Sequence, residues 1–150
     1  MNKHLQLPVD IDIVRHPGQT VLRLSLHREA LCDWCMALSL LKEGLIETLT
    51  VTERERKGVK VQLLSEPKTG GTVRVSFRPD LNRVAMTRNN LEYVQHFFLK
   101  YYRDGVAEVD HLDLQAIDAE TGDKEVYVTF RAPESKPPVT PEEARRRLEG

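Results

Sequence analysis

The longest unbroken helical period in this chain runs from Thr87 to Gly105, and the rest of the fold has to accommodate it. At 100° per residue its large apolar residues share one side, and its charged residues share the other. Thr87 or Asn89 can cap the first turn, and Gly105 suits a left-handed exit. Glu92 stands three residues after Asn89, as in a capping box. The predicted apolar stripe consists of Leu91, Val94, Phe98, Tyr101 and Tyr102, widened by Tyr93 and Phe97, opposite Glu92, His96, Lys100 and Arg103. The segment is predicted to be the core helix.

A second amphipathic helix is predicted from Arg28 to Glu43, where Gly44 can end it. Its core stripe is predicted to contain Leu31, Trp34, Leu38, Leu41 and then Leu45. Met36 and Leu40 project from the opposite, otherwise acidic side. Two interpretations remain open for this pair: isolated exposed apolar residues, which are common, or a surface that contacts a partner.

Strand patterns fill most of the remaining chain. Two strands, Val9 to Arg15 and Thr20 to His27, flank a Pro-Gly turn and predict a β-hairpin. Four short strands are predicted between Glu47 and Thr87, and a last hairpin follows the core helix. The simplest fold is an α+β two-layer sandwich, in which a twisted antiparallel sheet carries the two main helices on one face.

The order of helix, strands, helix, hairpin and short helix from Arg28 onward resembles that of small secretion chaperones, which are dimers. The N-terminal hairpin departs from that order. The length of 150 residues fits one domain, predicted at residues 1–131. Residues 132–150 hold four prolines and almost no large apolar residue, which predicts a mobile tail with a short helix from Thr140.

Charge and hydropathy limit the classes of partner. The chain carries 22 basic and 23 acidic residues, so it has no overall field that would concentrate nucleic acid or an anionic membrane. No stretch reaches the ~20 apolar residues of a membrane span, and the N-terminus does not resemble a signal peptide. We therefore expect a cytoplasmic protein that does not bind a membrane, and a nucleic-acid partner is disfavoured unless the fold forms a local basic patch.

Cys32 and Cys35 form a Cys-x-x-Cys spacing that is typical of redox or zinc sites. Here the pair lies inside the predicted helix rather than at its N-terminus, and no second Cys pair or His pair completes a zinc site. The two thiols are predicted to be inert, and no metal or cofactor is expected.

One polar surface is predicted from the strand alternation. Outward positions include Arg23, Lys60, Arg74, Arg78, His111, Asp113, Tyr127, Thr129 and Arg131, beside Thr48, Thr50 and Thr52. The residues selected as candidate ligand contacts are Arg74, Arg78, His111, Asp113, Tyr127 and Arg131. Such a face could bind an anion through Arg forks and an aromatic platform, or it could be an ordinary solvated sheet side.

Three classes of function remain open. The first is a non-enzymatic binding or protein-interaction module that pairs with itself or with another protein, using Met36 and Leu40. The second is a binder of a small anionic ligand or nucleic acid through the open sheet face. The third is an enzyme assembled from residues distant in sequence, for which His111 and Asp113 are the candidates. These two side chains could also ligate a metal, although the facial triad of iron oxygenases requires a further His later in the chain.

Overall fold

A computed structural model describes residues 4–53, 59–66, 72–105 and 109–133 of the chain, together with residues 142, 145, 146 and 148. The side chains are described from residue 7 onward. The predicted tail helix from Thr140, and most of the predicted tail, lie outside the described residues.

Eight strands and two α-helices make up the described chain. The strands are β1 His4–His16, β2 Gln19–Ser25, β3 Thr48–Glu53, β4 Lys60–Ser65, β5 Val73–Ser76, β6 Asn82–Met86, β7 His111–Asp118 and β8 Val126–Arg131. The helices are α1 Leu31–Lys42, preceded by a 3-10 turn at Arg28–Ala30, and α2 Arg88–Asp104. The content is therefore mixed α and β, and both predicted main helices are observed.

The strands form one closed barrel in the order β1-β2-β8-β7-β5-β6-β4-β3. Four antiparallel hairpins, β1–β2, β3–β4, β5–β6 and β7–β8, supply the local pairings. Four parallel pairings, β1–β3, β2–β8, β4–β6 and β5–β7, join these hairpins to one another. Strand β1 closes the ring, because residues 4–9 pair with β3 and residues 10–16 pair with β2.

The predicted open two-layer sandwich is therefore wrong. The hairpins at both ends of the chain are confirmed, but the sheet is closed and half of its pairings are parallel. Alternation along a strand fixes which side chains are buried, whereas it carries no information about which distant hairpin lies alongside. Closure also removes the free strand edges that an open sheet would leave exposed.

The barrel strands and the two helices share a single apolar core. Its centre is aromatic: the ring centroids of Trp34 and Phe98 lie 5.7 Å apart, edge to face. Phe130 of β8 lies 6.0 Å from Trp34 and 6.4 Å from Phe98. These separations suit the quadrupoles of aromatic rings, so the cluster fixes both helices against β8.

Helix α2 begins and ends close to where its sequence predicts. The Thr87 hydroxyl accepts a hydrogen bond from the backbone N–H of Asn90. In return, the side-chain Oδ1 of Asn90 accepts a hydrogen bond from the backbone N–H of Thr87. The capping-box partner is thus Asn90, not Glu92 after Asn89. Gly105 ends the helix at φ 74°, a left-handed angle that glycine adopts without strain.

The buried side of α2 is shifted from the predicted stripe. Leu91, Val94, Phe98 and Tyr101 are buried as predicted, but Tyr93 and Tyr102 are exposed. Gln95 is buried instead, because it lies between the two helices. Its Nε2 donates to the Cys35 carbonyl at 3.1 Å and also bonds Ser39 Oγ, while its Oε1 accepts from Lys42 Nζ at 3.3 Å.

Helix α1 buries Leu31, Trp34, Leu38 and Leu41 as predicted, together with Cys35 and Ala37. Leu45 was predicted to continue this stripe, but it lies past the helix end and is exposed. Met36 is 61% exposed, whereas Leu40 is half-buried and packs against the core.

No helix within the described residues is both long enough and apolar enough to span a membrane.

Candidate functional site

The outer surface of four neighbouring strands, β1, β2, β8 and β7, carries an ordered set of polar side chains. Strand register places them in rows that run across the sheet. One row contains Asp12, Arg23, Thr129 and Asp113, and the next contains Asp10, Ser25, Arg131 and His111. A third row contains Val14, Val21, Tyr127 and Gln115. Basic, acidic and aromatic groups from four strands therefore lie side by side.

These rows surround a depression of about 480 Å³, which we call the outer-face depression. It is lined by Gln19, Val21, Arg23, Asp110, His111, Asp113, Tyr127, Thr129 and Arg131. Its volume falls within the range of small-molecule sites. Eight of its nine lining residues carry a polar group, so it suits a charged or hydrogen-bonding ligand.

The two carboxylates of the depression are both engaged by neighbouring side chains. His111 Nδ1 lies 2.7 Å from Asp110 Oδ1, and His111 Nε2 lies 3.5 Å from Asp113 Oδ2. The Thr129 hydroxyl donates to Asp113 Oδ1 at 2.6 Å. The hydrogen bond from His111, with Arg131 adding a positive charge nearby, holds the pKa of Asp110 below its ordinary value. Both acids therefore already have side-chain partners within the site.

The basic side of the depression is less fully used. Arg131 Nη2 lies 3.7 Å from Asp110 Oδ2, too far for a good hydrogen bond, and most of its donors remain available. Arg23 makes no ion pair within the described part of the chain. Tyr127 and Gln19 line the same depression as these two arginines. The arrangement therefore presents guanidinium donors and one aromatic face to a ligand.

The structure brings together four of the six predicted ligand contacts: His111, Asp113, Tyr127 and Arg131. Arg74 and Arg78 lie elsewhere on the barrel surface. Arg74 lies 3.9 Å from Glu66, and Arg78 lies 3.5 Å from Glu120.

Arg23 belonged to the predicted outward set, but sequence reasoning did not select it as a ligand contact. Gln19 and Asp110 were not selected as ligand contacts either, because Gln19 is the first residue of β2 and Asp110 precedes β7. The alternation of β2 already pointed Arg23 outward, so that signal was present.

Among the described residues, no group of three or more His, Cys, Asp or Glu side chains is arranged to hold a metal ion. Cys32 is exposed on α1 and Cys35 is buried beside Gln95, and both are free thiols. Burial, with Cys32 nearby, raises the pKa of Cys35 to about 11. A thiol with so high a pKa is a poor nucleophile and a poor metal ligand at neutral pH.

Comparison with solved structures finds a distant likeness. The chain is similar to the crystal structure of Drosophila Suppressor of Fused, with 15% sequence identity and a TM-score of 0.44. The likeness covers 83% of this chain and 26% of that chain, so this chain spans about a quarter of its length. No protein-family model matches the sequence, and no curated protein matches it.

Proposed function

We propose that this protein is a non-enzymatic binding module that holds a small anionic ligand in the outer-face depression. One observation carries the proposal: Arg23 projects into the depression without an ion-pair partner among the described residues, while both acids there are already paired. The N–H donors of a guanidinium that has no paired carboxylate can bind a carboxylate or phosphate of a ligand. Arg131 and Tyr127 are placed to contact the same ligand.

The geometry of His111 favours binding over catalysis. Carboxylates flank both of its ring nitrogens, so neither nitrogen is directed at a ligand as a base. The Thr129 hydroxyl in the same depression donates to Asp113 and not to the imidazole. A nucleophile needs its base within hydrogen-bond reach, and this pair lacks that link.

Titration with inorganic phosphate and with a nucleoside monophosphate, followed by two-dimensional amide NMR, tests the proposal. We expect saturable shifts at Arg23, Tyr127 and Arg131, and about tenfold weaker binding in Arg23→Gln, the loss that follows from one hydrogen bond to a charged group. Arg74→Gln is the control, because it also removes an arginine charge but lies outside the depression.

Equal binding by Arg23→Gln and Arg74→Gln would contradict the proposal, as would shifts confined to other surfaces. A single-stranded oligonucleotide serves as a third ligand in the same titration. If it alone binds, with an affinity that falls steeply with salt, the ligand is a nucleic acid and not a small anion.

A second candidate function is self-association through the helix pair. Gln95 joins α1 to α2, and beside this contact the pair leaves Met36 61%, Leu99 44% and Tyr102 60% exposed. Large exposed apolar side chains on two packed helices favour a protein contact. A homodimer in the cytoplasm would suit this surface and the two free thiols.

Light scattering behind size exclusion tests the dimer. At tens of micromolar, wild type should exceed its monomer mass of 17.2 kDa, and Met36→Glu with Leu99→Glu should run as a folded monomer. Lys60→Glu, on β4, is the charge-change control and should remain dimeric. A monomeric wild type would contradict the proposal of self-association. It would not bear on the proposal of anion binding, which concerns a different surface.

A further inference from the structure

A second depression lies beyond the end of β3, on the far side of β1 from the first. The pairing of β1 with β3 stops at Val9, while β1 continues to His16 paired only with β2. The residues around the resulting gap come from β1, from the start of β4 and from the β5–β6 turn. They are Ile11, Asp12, Ile13, Arg15, Val59, Phe77, Arg78, Pro79 and Asn82, and they enclose about 410 Å³. We call this depression the arginine cleft.

The arginine cleft has an apolar wall and a charged rim, on which Arg15 and Arg78 outnumber the single carboxylate of Asp12. Ile13, Val59 and Phe77 are half-buried and pack against the core, so their remaining surface faces the cleft. The guanidinium carbon of Arg15 lies 5.3 Å from the centroid of the Phe77 ring, which is cation–π distance. This contact places the Arg15 guanidinium over the Phe77 ring, at the edge of the apolar wall.

Three polar side chains around the cleft make few hydrogen bonds or ion pairs with the described residues. Arg15 makes no ion pair within the described part of the chain, and Arg78 has one contact of 3.5 Å, to Glu120. The Asn82 side chain is 6% exposed, and its Nδ2 donates to the Lys60 carbonyl at 3.4 Å. An amide has further donor and acceptor capacity, which is unused among the described residues.

We propose that the arginine cleft binds small amphipathic organic anions: molecules with an aromatic or branched apolar body and one carboxylate. The body would lie against Ile13, Val59 and Phe77, and the carboxylate would accept hydrogen bonds from Arg15. Arg78 would supply the second positive charge. An apolar wall with a few convergent polar groups is the usual construction of a small-molecule site. This ligand class differs from the polar anion proposed for the outer-face depression.

The test uses 4-phenylbutanoate as the probe and the neutral 4-phenylbutanamide as its uncharged counterpart, followed by amide NMR. We expect saturable shifts around Ile13, Phe77 and Asn82, and about tenfold weaker binding of the amide than of the acid. Arg15→Gln should weaken the acid about tenfold and leave the amide unchanged. Phe77→Leu keeps the apolar wall but removes the ring beneath Arg15, so it should weaken the acid by about two- to fivefold.

Arg23→Gln and Arg74→Gln are the controls, because each removes an arginine outside the arginine cleft. Both should bind the acid as wild type does, which separates this proposal from the outer-face site. Equal affinities for acid and amide, loss of binding in Arg23→Gln, or no saturable shift up to about 20 mM would each overturn the proposal.

Discussion

The two faces of β8 differ in chemistry and in the side chains that they contact. Phe130 points inward, fully buried, and contacts Trp34 and Phe98. Its neighbours Thr129 and Arg131 point outward into the depression with Asp113 and Asp110. Helix α1 repeats the contrast, because Cys35 is buried against α2 while Cys32, one turn earlier, is exposed.

This contrast separates the parts of the molecule that hold the fold from the parts that are free to bind. Inner side chains contribute through burial and close packing, so their shape is constrained. Outer charges contribute little to stability, because water screens exposed ion pairs. An arginine such as Arg23 can therefore lack a protein partner at small cost, and a binding site on the outer face leaves the core intact.

The largest effect on stability is expected from the inner side. Phe98 is fully buried between Trp34 and Phe130, so Phe98→Ala should lower the free energy of unfolding by about 3 to 5 kcal/mol. His96→Ala is the control on the exposed side of the same helix, and it should change stability by less than about 0.5 kcal/mol. Urea unfolding followed by circular dichroism measures both.

Similar losses in the two variants would contradict the division into inner and outer sides. A large loss in His96→Ala alone would show that the exposed side of α2 packs against something. If Phe98→Ala does not fold, Phe98→Leu gives the same comparison with a smaller change in volume, and it should still lose more stability than His96→Ala.

The sequence predicts the local elements well, because their signals lie within a few residues. Thr87 and Gly105 mark both ends of α2, and the Pro-Gly turn marks the first hairpin. Barrel closure was not predictable in this way. It depends on parallel pairings such as Thr20 with Val126, between segments far apart in the chain that share no local pattern.

The candidate site was predictable only in part, because local patterns predict some of its residues and distant strand pairings decide the others. Alternation assigns His111, Asp113, Tyr127 and Arg131 to an outer face, and hairpin pairing of β7 with β8 brings them together. Alternation also turns Arg74 outward, but it does not say where on the circumference β5 lies. In the barrel β5 lies next to β7, but Arg74 pairs with Ile117, near the opposite end of β7 from His111 and Asp113. The register of this pairing therefore separates Arg74 from the other residues.

The smallest effect on stability is expected from alkylating the exposed thiol of α1. The different reactivity of the two α1 thiols also tests the division between inner and outer side chains. Iodoacetamide reacts with thiolates, and the raised pKa of Cys35, about 11, keeps its thiolate fraction at pH 8 far below that of an ordinary thiol. Cys35 is also buried, while Cys32 is exposed. Native protein should therefore gain one adduct, at Cys32, and protein unfolded in urea should gain two, as counted by mass spectrometry.

The modified native protein should retain its stability within about 0.5 kcal/mol, because Cys32 faces solvent. Because the pKa of Cys35 is raised, folding favours its protonated form, and this contribution to stability is present below the ordinary thiol pKa and lost as the pH rises toward about 11. Cys35 should thus stay largely unmodified when the labelling pH is raised from 8 to 9. Two adducts forming at equal rates in native protein would contradict this prediction, because Cys35 would then be as accessible and reactive as Cys32. A disulfide that reforms after reduction would also contradict it, because both thiols would then be reactive.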